Sequence, residues 1–334
     1  MIQKKLLLKA IKSFPRGKIL IVGDLIYDRY LCGQAERISP EAPVPVVLIN
    51  REESRPGGAC NVAWNITALG ASAALCGITG SDHNGREMTG LLEKSGIETR
   101  GIFSDPTRPT SVKTRVIAQA QQMLRIDHEK THPVSPSLLR KMYTFIKNHI
   151  SGYSGMVISD YGKGVINREF TSDIIKIGKK YNKIITVDPV IQNYHFYSNV
   201  FSMTPNHKEA SGGTGLPCES DEETIICGNA SMQKLNLETL LITRGSRGMT
   251  LFTKKQKPVF IPTCARTVFD VSGAGDTVIS IFTLAAALGV NPLQAAILSN
   301  IGAGVVVSKF GTASVTRREL TEAVKSYTLD IYSC

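Results

Sequence analysis

Lys18-Ile19-Leu20-Ile21-Val22-Gly23-Asp24 is an apolar run that ends on a glycine and an acid. Apolar at consecutive positions rather than at every second one, it reads as a parallel strand buried on both faces, which delivers Asp24 to its carboxyl end. The pattern returns at Met156-Val157-Ile158-Ser159-Asp160, at Ile184-Ile185-Thr186-Val187-Asp188 and at Leu240-Leu241-Ile242-Thr243-Arg244. Helix-compatible stretches such as Asn167 to Tyr181 lie between these runs. The order strand, helix, strand predicts an α/β architecture, with a mostly parallel central sheet flanked by helices. Ligands of such sheets gather at the carboxyl ends of the strands.

Two segments break the rhythm. Residues 29–53, rich in Pro and Val, and 111–127, where β-branched and polar residues alternate, read as strands outside the main sheet. They predict a small β lid made by two excursions from one domain spanning 1–334. The Gly-rich Ser211 to Pro217 reads as a flexible loop, and Glu222 to Leu235 as a helix. At the start, Met1 to Leu8 is interrupted by Lys9 and Lys12, the pattern of an amphipathic helix rather than a signal peptide. No apolar stretch approaches the roughly 20 residues that a membrane-spanning helix needs.

The formal charge of +11 comes from 39 Lys and Arg, spread along 334 residues, against 28 Asp and Glu. Without a clustered basic arm, a zinc-finger spacing or an aromatic nucleic-acid motif, the charge points to small phosphorylated substrates rather than to nucleic acid. Cys32, Cys60, Cys76, Cys218, Cys227, Cys264 and Cys334 form no CxxC pair and read as reduced thiols of a cytoplasmic protein.

Asp270-Val271-Ser272-Gly273-Ala274-Gly275-Asp276-Thr277 precedes the apolar run Val278 to Ala287, so the glycines fall at a helix N-terminus. Free backbone N–H groups there form an anion nest, and residues without a side chain let a phosphate approach closely. Asp276 stands at the same terminus, where a phosphoryl-transfer enzyme needs a proton acceptor. Read alone, Asp276 is equally a favoured capping residue.

Asp270 to Thr277 resembles the C-terminal signature of the PfkB carbohydrate kinases, with Val271 at a position usually occupied by Thr. Arg55-Pro56-Gly57-Gly58-Ala59-Cys60-Asn61-Val62-Ala63 resembles the family's other signature, in the right order along the chain. The resemblance implies the ribokinase-like three-layer fold and ATP-dependent phosphorylation of a sugar. It implies Asp276 as catalytic base, with Gly273, Ala274 and Gly275 as the anion nest, and Asp24, Asp28, Gly57, Gly58 and Asn61 against the sugar. Thr204-Pro205-Asn206-His207-Lys208-Glu209 resembles the family's NxxE motif, so Asn206 and Glu209 are expected to organise Mg2+. Thr243, Gly245, Gly248, Asp270 and Asn300 are expected around ATP, and a monovalent cation, K+, beside Asp270 and Ser308 to Gly311.

One branch matches over most of the chain. Arg37-Ile38-Ser39-Pro40-Glu41-Ala42-Pro43-Val44-Pro45-Val46-Val47, together with Lys113-Thr114-Arg115, Gln121 to Asp127 and Ser159-Asp160-Tyr161-Gly162-Lys163-Gly164, resembles the heptose-7-phosphate kinases. That branch implies phosphorylation of the anomeric 1-hydroxyl of D-glycero-D-manno-heptose 7-phosphate, with Asp160 at the sugar. Arg29, Arg115, Arg125 and Lys163 become candidates for the substrate phosphate, because fixed cations hold phosphates well. The resemblance further implies a homodimer through the lid. Bifunctional relatives carry a nucleotidyltransferase with an HxGH motif that these residues lack, so adenylyl transfer is expected from a separate protein. Asp188-Pro189-Val190 departs from the usual Asp-Pro-Lys, removing an expected cation. Kinases for another sugar or sugar acid, and a non-catalytic sugar-phosphate sensor, stay open as alternatives.

Overall fold

The computed structural model describes residues 4–119, 121–265, 267–327 and 332–333. Met1 to Gln3 and Cys334, both part of the readings above, lie outside them. In chain order the first elements are α1 (Lys4–Ser13), β1 (Lys18–Gly23), β2 (Leu25–Ile38), β3 (Pro45–Gly58), α2 (Ala59–Ala68), β4 (Ser72–Gly80), α3 (His83–Lys94) and β5 (Glu98–Asp105). There follow β6 (Ser111–Ala118), β7 (Gln121–His128), α4 (Pro136–His149), β8 (Gly155–Ser159), α5 (Arg168–Lys180), β9 (Ile184–Asp188) and β10 (Ser202–Met203). The remainder is α6 (His207–Thr214), α7 (Asp221–Leu235), β11 (Thr239–Thr243), β12 (Met249–Thr253), β13 (Val259–Ile261), α8 (Ala274–Ala287), α9 (Pro292–Val306), α10 (Arg317–Ser326) and β14 (Tyr332–Ser333).

The main sheet runs β14-β13-β12-β11-β10-β9-β8-β1-β4-β5. It is parallel from β11 to β5, while β12, β13 and β14 add antiparallel edges. Alternation along β1 shows why its sequence is apolar throughout. Ile19 and Ile21 join a core with α1, α2, α8, α9 and α10, whereas Leu20 and Val22 join a second core with α4, α5 and α7 on the opposite face. Each such side chain, fully buried, contributes about 1.5–3 kcal/mol.

The second sheet, β3-β2-β6-β7, is built from the two excursions. It starts earlier than the sequence suggested: β2 begins at Leu25, directly after Asp24, and β3 runs on to Gly58, directly before α2. Tyr30 and Arg55 tie this sheet to the body, the Tyr30 hydroxyl accepting from Thr312 N at 3.0 Å and Arg55 donating to the carbonyl of Phe310 at 2.7 Å.

The Gly-rich segment after Glu209 is not a flexible loop. Ser211 to Thr214 is the last turn of α6, closed by Gly215 in the left-handed region with φ 75°. Asn206 and Glu209 form a reciprocal capping box that nucleates the helix despite its glycines. Those glycines are there for packing: a Cβ on Gly213 would stand 2.2 Å from the ring of Tyr194. Among the described residues, six cysteines are free and no helix is long and apolar enough to cross a membrane.

Candidate active site

Gly273, with φ 78°, is the N-cap of α8; no side chain caps the first turn, and among its N–H groups that of Ala274 donates to the carbonyl of Val271 at 3.2 Å. A Cβ at Gly275 would meet nothing within 4 Å, so the nest is open rather than sealed. Two cavities meet at it. One of about 270 Å³ is lined by Asp188, Asn206, Glu209, Tyr161, Gly273 and Asp276. The other, about 370 Å³, is lined by Gly245, Gly248, Asn300, Ala303, Val307 and Ala274. Thr243 and Gly275 border both, which puts the nest at their junction.

Asp276 is 4% exposed and both carboxylate oxygens are engaged. Tyr161 donates its hydroxyl to Oδ1 at 2.6 Å, and Asn61 donates Nδ2 to Oδ2 at 2.7 Å. Burial pushes the Asp276 carboxyl up to about 6, against the pull of these two hydrogen bonds. Asn61 is itself held from α2 by Asn65, which donates to Oδ1 of Asn61 at 3.3 Å and accepts from Thr277 at 2.9 Å. A buried polar chain thus locks α2 to the start of α8.

The second sheet brings Asp28 to the same place. Asp28 is 3% exposed and accepts from Arg115 at 2.6 Å. A Cβ on Gly57, diagonally across on β3, would fall 2.7 Å from the Asp28 carboxylate, so the first glycine of the pair makes room for an acid of the protein itself. Gly58 caps α2 with φ 55°. Across β6 and β7, Arg115 lies opposite Arg125, and Lys113 opposite Asp127. Arg125 pairs with Asp127 at 2.9 Å, and Lys163 pairs with Glu129.

Of three residues expected at the substrate, Arg29 and Asp24 are engaged elsewhere and Asp160 lines the first cavity. Arg29 is on the face of β2 opposite to Asp28, where it meets Asn84 at 2.9 Å and Glu52 at 3.2 Å, because successive side chains of a strand point to opposite faces. Asp24 is 1% exposed and accepts from the backbone N–H groups of Tyr161 at 2.8 Å, Lys163 at 3.0 Å and Val165 at 3.3 Å. Burial, with Asp160 nearby, pushes it up to about 6. Asp160 borders the first cavity, yet its carboxylate accepts from Gly162 N at 2.8 Å, from Asn193 at 2.7 Å and from the Tyr197 hydroxyl. Both acids hold the turn 160–165.

Asn206 and Glu209 reach the first cavity while capping α6: Asn206 Oδ1 accepts from Lys208 N and Glu209 N, and Glu209 Oε2 accepts from Asn206 N at 2.8 Å. Asp188 is pushed well above the usual carboxylate range by desolvation and by the charges of Glu209 and Asp276. Val190 lines this cavity too, so the missing cation leaves an acidic wall. In the second cavity Asn300 donates to the carbonyl of Pro262 at 2.6 Å. Asp270 accepts from Ser272 N at 2.9 Å and from Gly311 N at 3.0 Å, which joins the nest loop to the 308–311 turn.

Lys113, Tyr161 and Asp188 belong to this site and were not singled out from the sequence. For Lys113 a signal existed, since it shares the period-2 face of Arg115. Desolvation, then the charge of Lys163, pulls its ammonium below the usual lysine range, and it bears on Asp276 as an opposite charge. Asp188 had a signal too, as the acid at the end of an apolar strand, whereas Tyr161 had no pattern of its own.

The profile of the pfkB family carbohydrate kinases matches residues 16–318. Bifunctional protein HldE of Pelobacter propionicus is 42% identical over 305 residues, covering 91% of this chain and 62% of that protein. Its counterpart in Geobacter sulfurreducens is 42% identical over 301 residues, covering 90% of this chain and 61% of that protein. The chain therefore spans about six tenths of the length of these relatives. Among solved structures, Arabidopsis thaliana ribokinase complexed with ribose and ATP superposes with a TM-score of 0.73 at 19% identity, over 93% of this chain and 99% of that one. Escherichia coli phosphofructokinase-2 in complex with potassium gives 0.77 at 15% identity, over 92% and 98%. The fold is thus ribokinase-like, and the chain belongs to the pfkB family of carbohydrate kinases.

Proposed function

We propose that this sugar kinase transfers the γ-phosphoryl group of ATP to the anomeric 1-hydroxyl of D-glycero-D-manno-heptose 7-phosphate, giving the 1,7-bisphosphate. The observation that carries the reading is the position of Asp276, buried beside an open backbone nest where two cavities meet. Asp276 accepts the hydroxyl proton as the 1-oxygen bonds to the γ-phosphorus. The bond from that phosphorus to the β–γ bridging oxygen breaks, and ADP leaves. The N–H groups of Gly273 and Gly275 face the charge that develops on the phosphoryl oxygens, while that of Ala274 is held by the carbonyl of Val271.

ATP fits the cavity bordered by Thr243, Gly245, Gly248 and Asn300. The acidic wall of Asp188 and Glu209 fits Mg2+, which takes oxygen ligands and keeps much of its water. Asn206 and Glu209 would hold it through that water, and bound there it would neutralise phosphate charge. The joined Asp270 and 308–311 segments suit a monovalent cation such as K+. On the sugar side, Asp28, Asn61 and Gly57 flank the base, while Arg115, Arg125, Lys163 and Lys113 supply cations for the substrate's own phosphate. The similarity to HldE proteins at about 40% identity favours heptose phosphate as that substrate.

The chain is read as one kinase unit in which the second sheet is a lid, and as a homodimer paired through it. Leu48, Ile38, Leu124 and Ile126 on that sheet are 73%, 63%, 56% and 48% exposed, an apolar surface that a second copy would cover. A monomer in light scattering at micromolar concentration contradicts the pairing. For the substrate, a coupled ADP-release assay is run on heptose 7-phosphate, ribose, fructose 6-phosphate and ketodeoxygluconate. Heptose 7-phosphate is expected to give the highest kcat/KM. Equal turnover of an unphosphorylated sugar would defeat the assignment.

A further inference from the structure

The turn 160–165 is held by more buried charge than a surface turn needs. Asp24 accepts three of its backbone N–H groups, Asp160 accepts the N–H of Gly162, and Arg108 donates to the carbonyl of Lys163 at 2.8 Å. Arg108, 8% exposed, also donates to the carbonyl of His132 at 2.7 Å and pairs with Asp105 at 3.0 Å. Burying three ionised groups costs several kcal/mol each unless they are fully bonded, and here the bonds go to a turn that contains two glycines in the left-handed region, Gly162 and Gly164. Left to itself such a turn is mobile. What the clamp delivers to the base is one group, the hydroxyl of Tyr161.

We propose that Tyr161 is a positioning residue for the base: the hydroxyl it donates to Oδ1 of Asp276 at 2.6 Å fixes the carboxylate and favours its ionised form while the sugar hydroxyl approaches. The inference rests on Asp276 as the base. Asp276 faces several other charged or titratable groups: Asp28 from β2, Lys113 from β6, Asp188 at the end of β9 and Cys60 from α2. Lys113 favours the ionised carboxylate, and Asp28 and Asp188 oppose it. Tyr161 adds a donor directly on the oxygen, and Asn61 matches it on the other. A hydrogen bond to the charged form of an acid lowers its pKa. Removing the Tyr161 donor therefore raises the pKa of Asp276 and leaves a smaller ionised fraction near neutral pH.

The test compares wild type with Tyr161→Phe, which keeps the ring and removes the hydroxyl. Protein labelled with 13C at the aspartate carboxyl is titrated by NMR, and the Asp276 resonance is assigned by its loss in Asp276→Asn. The midpoint is expected to rise by roughly 0.5–1 pH unit in Tyr161→Phe. A 3-fluorotyrosine at position 161, a stronger donor, is expected to move it down. In ADP-release assays with the best wild-type substrate, the acidic limb of kcat should move by the same amount, with KM for ATP changed less than about twofold. An unmoved midpoint overturns the proposal, and so does a loss of kcat without a shift of the limb. Because the titration needs no sugar turnover, failure of the heptose assignment leaves this result readable.

Discussion

Oδ2 of Asp276 accepts a 2.7 Å hydrogen bond from Nδ2 of Asn61, a residue 215 positions earlier in the chain. The two signatures of the family meet at that contact. It joins the end of the second sheet, through α2, to the helix that carries the phosphate nest. Truncating Asn61 to Ala removes a donor from a buried carboxylate, and its loss is expected to lower kcat roughly ten- to hundredfold and to destabilise the protein by about 1–3 kcal/mol. Steady-state kinetics and urea unfolding of Asn61→Ala check both, and an unchanged kcat removes Asn61 from the site.

The raised pKa of Asp276 has opposite signs in activity and stability. The ordinary value is 3.8 and the folded value about 6, so activity is expected to rise with pH through about 6 as the base ionises. Folding binds the proton more tightly, so the contribution to stability is present at low pH and is lost as pH rises through 6. At pH 8 Asp276→Asn removes an unfavourable buried charge worth up to about 3 kcal/mol, less about 1 kcal/mol because an amide cannot accept both hydrogen bonds. The variant is expected to melt a few degrees higher than wild type at pH 8 and no higher at pH 4. A lower melting temperature at both pH values contradicts the assigned shift.

Arg115 and Arg125 stand opposite each other on neighbouring strands but do different work. The Arg115 side chain is 13% exposed and neutralises Asp28, whereas that of Arg125 is 50% exposed and, among the described residues, pairs only with Asp127. Arg115→Met leaves a buried acid unpaired and is expected to cost about 3 kcal/mol or more in denaturant unfolding. Arg125→Met is expected to cost less than about 0.5 kcal/mol while raising KM for the sugar phosphate. Equal effects of the two on stability contradict the distinction.

Gly213→Ala should stabilise an isolated helix by about 1 kcal/mol. In this protein the new methyl would meet the Tyr194 ring at 2.2 Å. The expected outcome is a destabilisation of about 2–3 kcal/mol in urea unfolding. A neutral result means that α6 and the Ile191–Phe196 turn are not packed as described.

How much of this was legible beforehand depends on the kind of signal. The apolar strands ending in acids were readable because a parallel strand buried on both faces has no polar position to hide in. The nest and Asp276 were readable because glycines before a long apolar run mark a helix start. Which way a side chain points was harder. Arg29 follows Asp28 directly, and one step along a strand moved it to the far face. Asp24 had the right residue type at the right strand end, but its carboxylate was taken by the 160–165 turn, a contact between residues more than a hundred positions apart. The glycines after Glu209 suggested mobility by composition alone. A capping box upstream and a tyrosine ring beside them decided otherwise.

The central claim is that Asp276 deprotonates the acceptor beside an open phosphate nest. The direct measurement is single-turnover phosphoryl transfer by Asp276→Asn, paired with ATP binding by calorimetry. Transfer should slow by about 10²–10⁴-fold with ATP affinity kept within about threefold. Transfer at the wild-type rate contradicts the claim.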